Sequence, residues 1–212
     1  MILKYFPLKI RNTLFPFLNE IMKKSVIKNW ENKNKPIPPP HQIKQSVIER
    51  YQKTYNCNVF IESGTLYGDM VEAQKNNFEQ IYSIELAEKL WKSAVKRFKN
   101  YSHVKILYGD SSKVLHDICS SLTQSAVFWL DGHYSGGITA RGEKDCPIFE
   151  ELDAILKLKD LNHVILIDDA RLFTGKNDYP TIDHLKKYIA SKNSRYKVFV
   201  EETDIIRCII DN

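Results

Sequence analysis

Val59-Phe60-Ile61-Glu62-Ser63-Gly64-Thr65-Leu66-Tyr67-Gly68-Asp69 sets the architecture of the chain. The apolar run Val59 to Ile61 has the length and flanks of a short buried strand. Glu62 stands at its end, Gly64 and Gly68 bracket a tight turn that contains Thr65, and Asp69 to Phe78 reads as the helix that follows. Glycines let a backbone approach a ligand closely, and a helix N-terminus offers free N–H groups. The next apolar run, Ile81 to Ile84, ends in a second acid, Glu85, 21 residues after Gly64. That spacing suits a carboxylate accepting hydrogen bonds from a ribose. A strand-to-helix turn with two glycines also serves packing alone, so the turn by itself leaves both roles open.

Working outward towards the C-terminus, the same alternation repeats. Ala87 to Tyr101 carries Leu90, Ala94, Val95, Phe98 and Tyr101 at helical spacing, which predicts a core-facing helix. Val104 to Tyr108 is a third strand, followed by Gly109-Asp110-Ser111 and a helix through Val114, Leu115, Ile118 and Leu122. Ala126 to Leu130 is a fourth, ending in Asp131. A glycine-rich polar stretch from Gly132 to Asp145 follows, and a loop of that length in a compact domain is usually functional. Ile148 to Leu156 is helical, and Val164 to Ile167 is a fifth strand ending in Asp168-Asp169. A helix from Thr181 to Ala190 precedes Tyr196–Val200 and Ile205–Ile210, which read as a terminal hairpin.

Towards the N-terminus, Gln42 to Tyr55 is a helix with Ile43, Val47, Ile48 and Tyr51 on one face. Pro36, Pro38, Pro39 and Pro40 make a stiff linker over 36–40. Residues 1–35 form a basic extension with an amphipathic helix from Thr13 to Lys28, Pro16 lying in its first turn. That helix suits packing on the domain, a second copy of the chain, or an anionic membrane surface.

The net charge of +5 is uneven: residues 1–36 hold eight Lys/Arg and two Asp/Glu, leaving −1 for the rest. A near-neutral domain argues against a broad nucleic-acid surface. Four cysteines without a C-x-x-C pair fit packed thiols in a reducing compartment, so a cytoplasmic or peripherally membrane-bound location is expected. Five strands alternating with helices imply an α/β, doubly wound, mostly parallel sheet with a C-terminal antiparallel hairpin. The carboxyl ends of its parallel strands share one edge, where ligands bind, and every one of them carries an acid.

Over residues 41–212 this pattern resembles the class I S-adenosylmethionine-dependent methyltransferases. Glu62-x-Gly64-x-x-x-Gly68 is similar to their first motif, and the terminal hairpin matches the antiparallel strand that the family adds. The resemblance implies a Rossmann-like methyltransferase fold with S-adenosylmethionine as cofactor. It places Glu62, Gly64, Thr65 and Gly68 at the methionine end, Glu85 on the ribose hydroxyls, and Asp110 with Ser111 by the adenine. Asp110 is equally suited to capping the next helix.

Asp131, Asp168 and Asp169 end what should be neighbouring strands. Converging carboxylates repel each other unless protonated or bound to a cation, and hard oxygen donors suit Mg²⁺. The pattern is similar to the metal-dependent catechol-type and sugar O-methyltransferases, in which the metal holds and acidifies the acceptor hydroxyl. The alternative is a salt bridge from Asp169 to Arg171 with no metal bound. His133, at the start of the polar loop, is the expected general base beside Asp131, with Tyr134 as a substitute. Arg141, Lys144 and Arg171 are candidates for an anionic group on the substrate.

The expected activity is methyl transfer to a hydroxyl of a small molecule or glycan acceptor, without nucleic acid. Two other readings stand beside it. One is a degenerate methyltransferase fold acting as a binding module. The other is a nicotinamide-dependent dehydrogenase, disfavoured by the missing G-x-G and the paired Asp168-Asp169.

Overall fold

The computed structural model describes residues 8–132, 146–158, 160–201 and 203–211, with side chains from residue 20 onward. Helices α1 (Leu8–Asn32) and α2 (His41–Tyr55) precede the first strand, β1 (Val59–Ser63). Then come α3 (Asp69–Gln74), β2 (Gln80–Glu85), α4 (Glu88–Phe98), β3 (Val104–Tyr108), α5 (Ser111–Ser120) and β4 (Ala126–Leu130). The chain ends through α6 (Ile148–Leu156), β5 (Val164–Ile167), a 3₁₀ turn at Ala170–Leu172, α7 (Ile182–Lys192), β6 (Lys197–Val200) and β7 (Ile206–Ile209).

The strands form one seven-stranded sheet in the order β3-β2-β1-β4-β5-β7-β6. β1 to β5 are parallel, and β7 runs antiparallel to both β5 and β6. The order reverses beside β1, between β2 and β4. That is where an open α/β sheet forms a crevice outside its strand ends. The sheet separates two cores. Leu115 and Ile118 of α5, Leu152 and Ile155 of α6 and Leu185 of α7 cover one face. Val47 and Ile48 of α2, Met70 and Val71 of α3 and Phe98 of α4 cover the other. Strands covered on both sides read as continuous apolar runs, which is why β4 and β5 fall at the residues their composition predicts.

Two helices differ from expectation. α1 is longer, and Pro16 lies in its interior rather than its first turn. Its C-terminal part is drawn out by Trp30, which is buried and donates its indole N–H to the Pro36 carbonyl at 2.8 Å. Lys23 pairs with Glu49 of α2 at 2.5 Å, so this part of α1 packs on the domain. α3 is shorter, stopping at Gln74, because the Asn76-Asn77 pair favours a turn. Phe78 beyond it is held separately by ring contact with Phe60 at 5.1 Å. No helix among the described residues is long and apolar enough to cross a membrane.

His163 is a core residue. Its Nδ1 accepts the Ala126 N–H at 3.1 Å, its ring stands edge-on to Phe128, and its Nε2 has no hydrogen-bond partner among the described residues. Burial pushes its pKa down to about 4. In the unfolded chain the imidazole takes up a proton near pH 6.5, whereas the folded chain resists until about pH 4. Stability from this group is therefore complete above pH 6.5 and lost between 6.5 and 4, by about 3 kcal/mol. Urea titrations over that range should show the loss in the native protein and a smaller slope in His163→Gln.

Candidate active site

Register sets the carboxyl ends level. Ser63 pairs with Ile84 and with Leu130, and Leu130 pairs with Ile167. The residues that follow, Gly64, Glu85, Asp131 and Asp168, therefore share one edge. Backbone bonds continue the ladder beyond the strands: Gly64 and Thr65 N–H donate to the Ile84 carbonyl, Asp131 N–H to Ser63, and Asp168 N–H to Leu130.

The turn after β1 is held from beneath. The Ser83 hydroxyl donates to Glu62 Oε2 at 2.5 Å, and Thr65 Oγ1 lies 2.6 Å from Ser83 Oγ. All three side chains are buried. Burial holds Glu62 well above the usual carboxylate range despite the Ser83 bond, and the nearby charges of Asp131, Glu85 and Asp69 push it further. Glu62 thus braces the turn from a buried position that disfavours its charged form. Gly64 has φ +88°, and a Cβ there would come 2.4 Å from the Asp131 carbonyl oxygen, so this glycine lets β1 and β4 close together. Gly68 has φ +78°, and a Cβ there would meet the Phe98 ring at 2.6 Å. Both glycines therefore have a packing reason, whatever they do for a ligand.

Glu85 is the clamp of the edge. Its Oε2 accepts the Leu66 N–H at 2.7 Å and its Oε1 accepts the Ala87 N–H at 2.8 Å. The two amides fix the carboxylate plane between the loops after β1 and β2, and each oxygen has a second lone pair for a ligand hydroxyl. Asp110 caps α5, accepting the Ser112 N–H at 2.9 Å and the Ser112 hydroxyl at 2.7 Å. Ser111 is buried directly after it.

The acidic corner of β4 and β5 contains a residue that the sequence pattern did not single out. Lys44, on α2, forms an ion pair with Asp168 and lies 3.6 Å from Asp169. Its side chain is 16% exposed and that of Asp168 is 1% exposed. Burial works against the Lys44 charge, but Asp168, Asp131 and Asp169 together raise its pKa. Asp168 is itself raised, because burial of its carboxyl outweighs the ammonium beside it. Asp168 also accepts the Asp169 N–H at 2.8 Å. Asp169 pairs with Arg171 at 2.8 Å, and Arg171 pairs in turn with buried Asp204.

The three carboxylates expected to hold a metal meet cationic side chains in this corner. The crowded carboxylates are compensated by an ammonium and a guanidinium, and no group of three or more His, Cys, Asp or Glu among the described residues could hold a metal ion. Asp131, Asp168 and Asp169 therefore do not fit a Mg²⁺ site as they stand, and Arg171 is committed to carboxylates rather than to a substrate anion. Lys44 was legible only indirectly: it precedes Ile48 and Tyr51 by four and seven residues, on the edge of the buried stripe. The expected base His133 lies outside the described residues, as do Tyr134, Arg141 and Lys144. Another imidazole reaches this edge. His41 opens α2 beside Asp69, Lys44 and Asp168, its pKa lowered chiefly by burial.

Neither a protein-family model nor a curated protein matches the sequence. Solved structures do match the fold. A Podospora anserina methyltransferase bound to S-adenosylhomocysteine aligns with a TM-score of 0.57 and 16% identity over 98% of this chain and 99% of that one. An O-methyltransferase from Bacillus cereus in complex with S-adenosylhomocysteine gives 0.60 and 13%, over 89% and 90%. The O-methyltransferase TomG of Streptomyces achromogenes, involved in tomaymycin synthesis and in complex with S-adenosylmethionine, gives 0.57 and 13%, over 89% of each chain. The chain has the class I methyltransferase fold.

Proposed function

We propose that the protein transfers a methyl group from S-adenosylmethionine to a hydroxyl of a small-molecule or glycan acceptor. The observation that carries this is the edge beside β1. There a glycine-bracketed turn stands against a carboxylate, Glu85, whose plane two backbone amides already fix. Such a carboxylate is preorganised for a vicinal diol. The surrounding charge agrees: Asp69, Glu85 and Asp131 gather round the turn and favour a cationic ligand. They also disfavour a phosphate backbone, which supports a small acceptor over nucleic acid.

The cofactor supplies an electrophilic methyl on a sulfonium. The chain supplies alignment and a deprotonated acceptor. Gly64 to Gly68 and Glu85 would hold the cofactor, with Asp110 and Ser111 at the end of β3. Asp131 lies between the turn and the Lys44–Asp168 pair, at the boundary between the two halves of the edge. Lys44 places one positive charge where an acceptor oxygen would gain negative charge, the task the sequence had suggested for Mg²⁺. The base is His133 or, on the described edge, His41.

Calorimetric titration with S-adenosylhomocysteine, with and without Mg²⁺, tests the cofactor site. Saturable binding is expected, unchanged within about twofold by Mg²⁺ or EDTA. Loss of the hydrogen bonds to a charged carboxylate in Glu85→Ala should weaken it about 10- to 100-fold. No binding under any condition would sink the proposal.

A further inference from the structure

A pocket of about 430 Å³ lies outside the cofactor turn, between α1, α2 and the β6–β7 connection. β6 runs in the same direction as β1 to β5, so its connection to β7 emerges at the same edge as Asp131 and Asp168. Three bonds tie it there: the Ala170 N–H donates to the Asp204 carbonyl at 2.9 Å, the Arg171 N–H donates to Asp204 Oδ1 at 2.8 Å, and the Arg171 guanidinium pairs with the Asp204 carboxylate. α2 is the other shared element, since Ile43 and Val47 line the pocket while Lys44 between them reaches the acidic corner.

The lining is two-sided. Ile27 and Trp30 of α1 face Ile43 and Val47 of α2, making an apolar slot with one flat aromatic wall. Arg50 and Glu201 also line it and pair at 3.0 Å, and Arg207, behind the lining, pairs with the same Glu201 carboxylate at 3.0 Å. Arg207 is fully buried and also donates to the Thr203 hydroxyl and the Ile205 carbonyl, and its Nε has no acceptor among the described residues. Two guanidinium groups on one carboxylate leave one positive charge in excess, and the other two charged lining residues, Glu31 and Lys35, are of opposite sign, so the excess stands. The Arg50–Glu201 pair is exposed, so it holds Arg50 by little and a ligand anion could take its place. The volume falls in the range of small-molecule sites.

We propose that this pocket binds a small amphipathic anion, with a flat apolar body against Trp30 and one carboxylate, sulfonate or phosphate on Arg50. Taken with the methyl-transfer reading, on which this further step rests, it holds the non-reacting part of the acceptor. α2 and the β6–β7 connection then carry the acceptor towards Asp131 and Lys44. The binding itself does not depend on that step.

The test uses the full chain and 8-anilinonaphthalene-1-sulfonate, an aromatic sulfonate, read by its fluorescence. Saturable binding at one site per chain is expected, with a Kd weakened at least tenfold both by Ser46→Trp, which fills the slot, and by Arg50→Gln, which removes the exposed cation. Thermal melts and S-adenosylhomocysteine titrations of each variant monitor folding and the cofactor site. Simple aryl carboxylates should displace the probe, and neutral analogues of the same size should not. No saturable binding, or binding untouched by both folded variants, overturns the proposal. Probe binding without S-adenosylhomocysteine binding would instead preserve the pocket and remove the methyl-transfer reading.

Discussion

Lys44→Met is expected to destabilise the protein by about 3–5 kcal/mol at pH 7, because it leaves the buried Asp168 carboxylate beside Asp169 without its counter-charge. The pH dependence identifies the cause. Asp168 already has a raised pKa through burial, and loss of Lys44 raises it further. The variant therefore ionises Asp168 at a greater cost than the native protein does. That cost shrinks as pH falls and the carboxyl protonates, so the difference from native should narrow in acid. Lys44→Met/Asp168→Asn removes both charges and should recover most of the loss. Urea unfolding of the two variants at pH 7 and pH 5 measures this. Equal destabilisation of single and double variants would show that Lys44 acts through packing alone.

Gly64→Ala carries the second large effect, about 4 kcal/mol or more of lost stability, together with loss of S-adenosylhomocysteine binding. The added Cβ meets backbone, the Asp131 carbonyl at 2.4 Å, and backbone on β4 cannot rotate away. It also forces an L residue into φ +88°, a left-handed conformation costing about 1–2 kcal/mol in its own right. Gly68→Ala makes the useful comparison. Its Cβ meets the Phe98 ring, a side chain that can shift, so the expected loss is about 2 kcal/mol, mostly from the left-handed backbone. Urea midpoints rank the two. A Gly68 variant as damaged as the Gly64 variant would contradict the packing account.

Much of the edge is legible in the sequence. Glu62, Glu85, Asp110, Asp131 and Asp168 each close an apolar run, and in a parallel sheet run ends converge. The role of each acid was not legible, because that depends on partners distant in the chain. Glu62 and Ser83 are 21 residues apart, and Lys44 and Asp168 are 124 apart. A crowd of carboxylates read along the sequence calls for a cation without naming which. The fold answers with a lysine from a helix that precedes the sheet.

The sequence dictates the strands, their alternation with helices and therefore the doubly wound sheet, since apolar period and turn chemistry are local properties of the chain. It also determined which residue types would line the ligand edge. The packed fold establishes that Lys44 neutralises Asp168, that Arg171 belongs to Asp169 and Asp204, and that His163 is a neutral core residue. It alone set two arginines against one glutamate beside an apolar slot. Charge compensation and burial depend on which side chains meet across the sheet, and that is fixed by packing rather than by spacing along the chain.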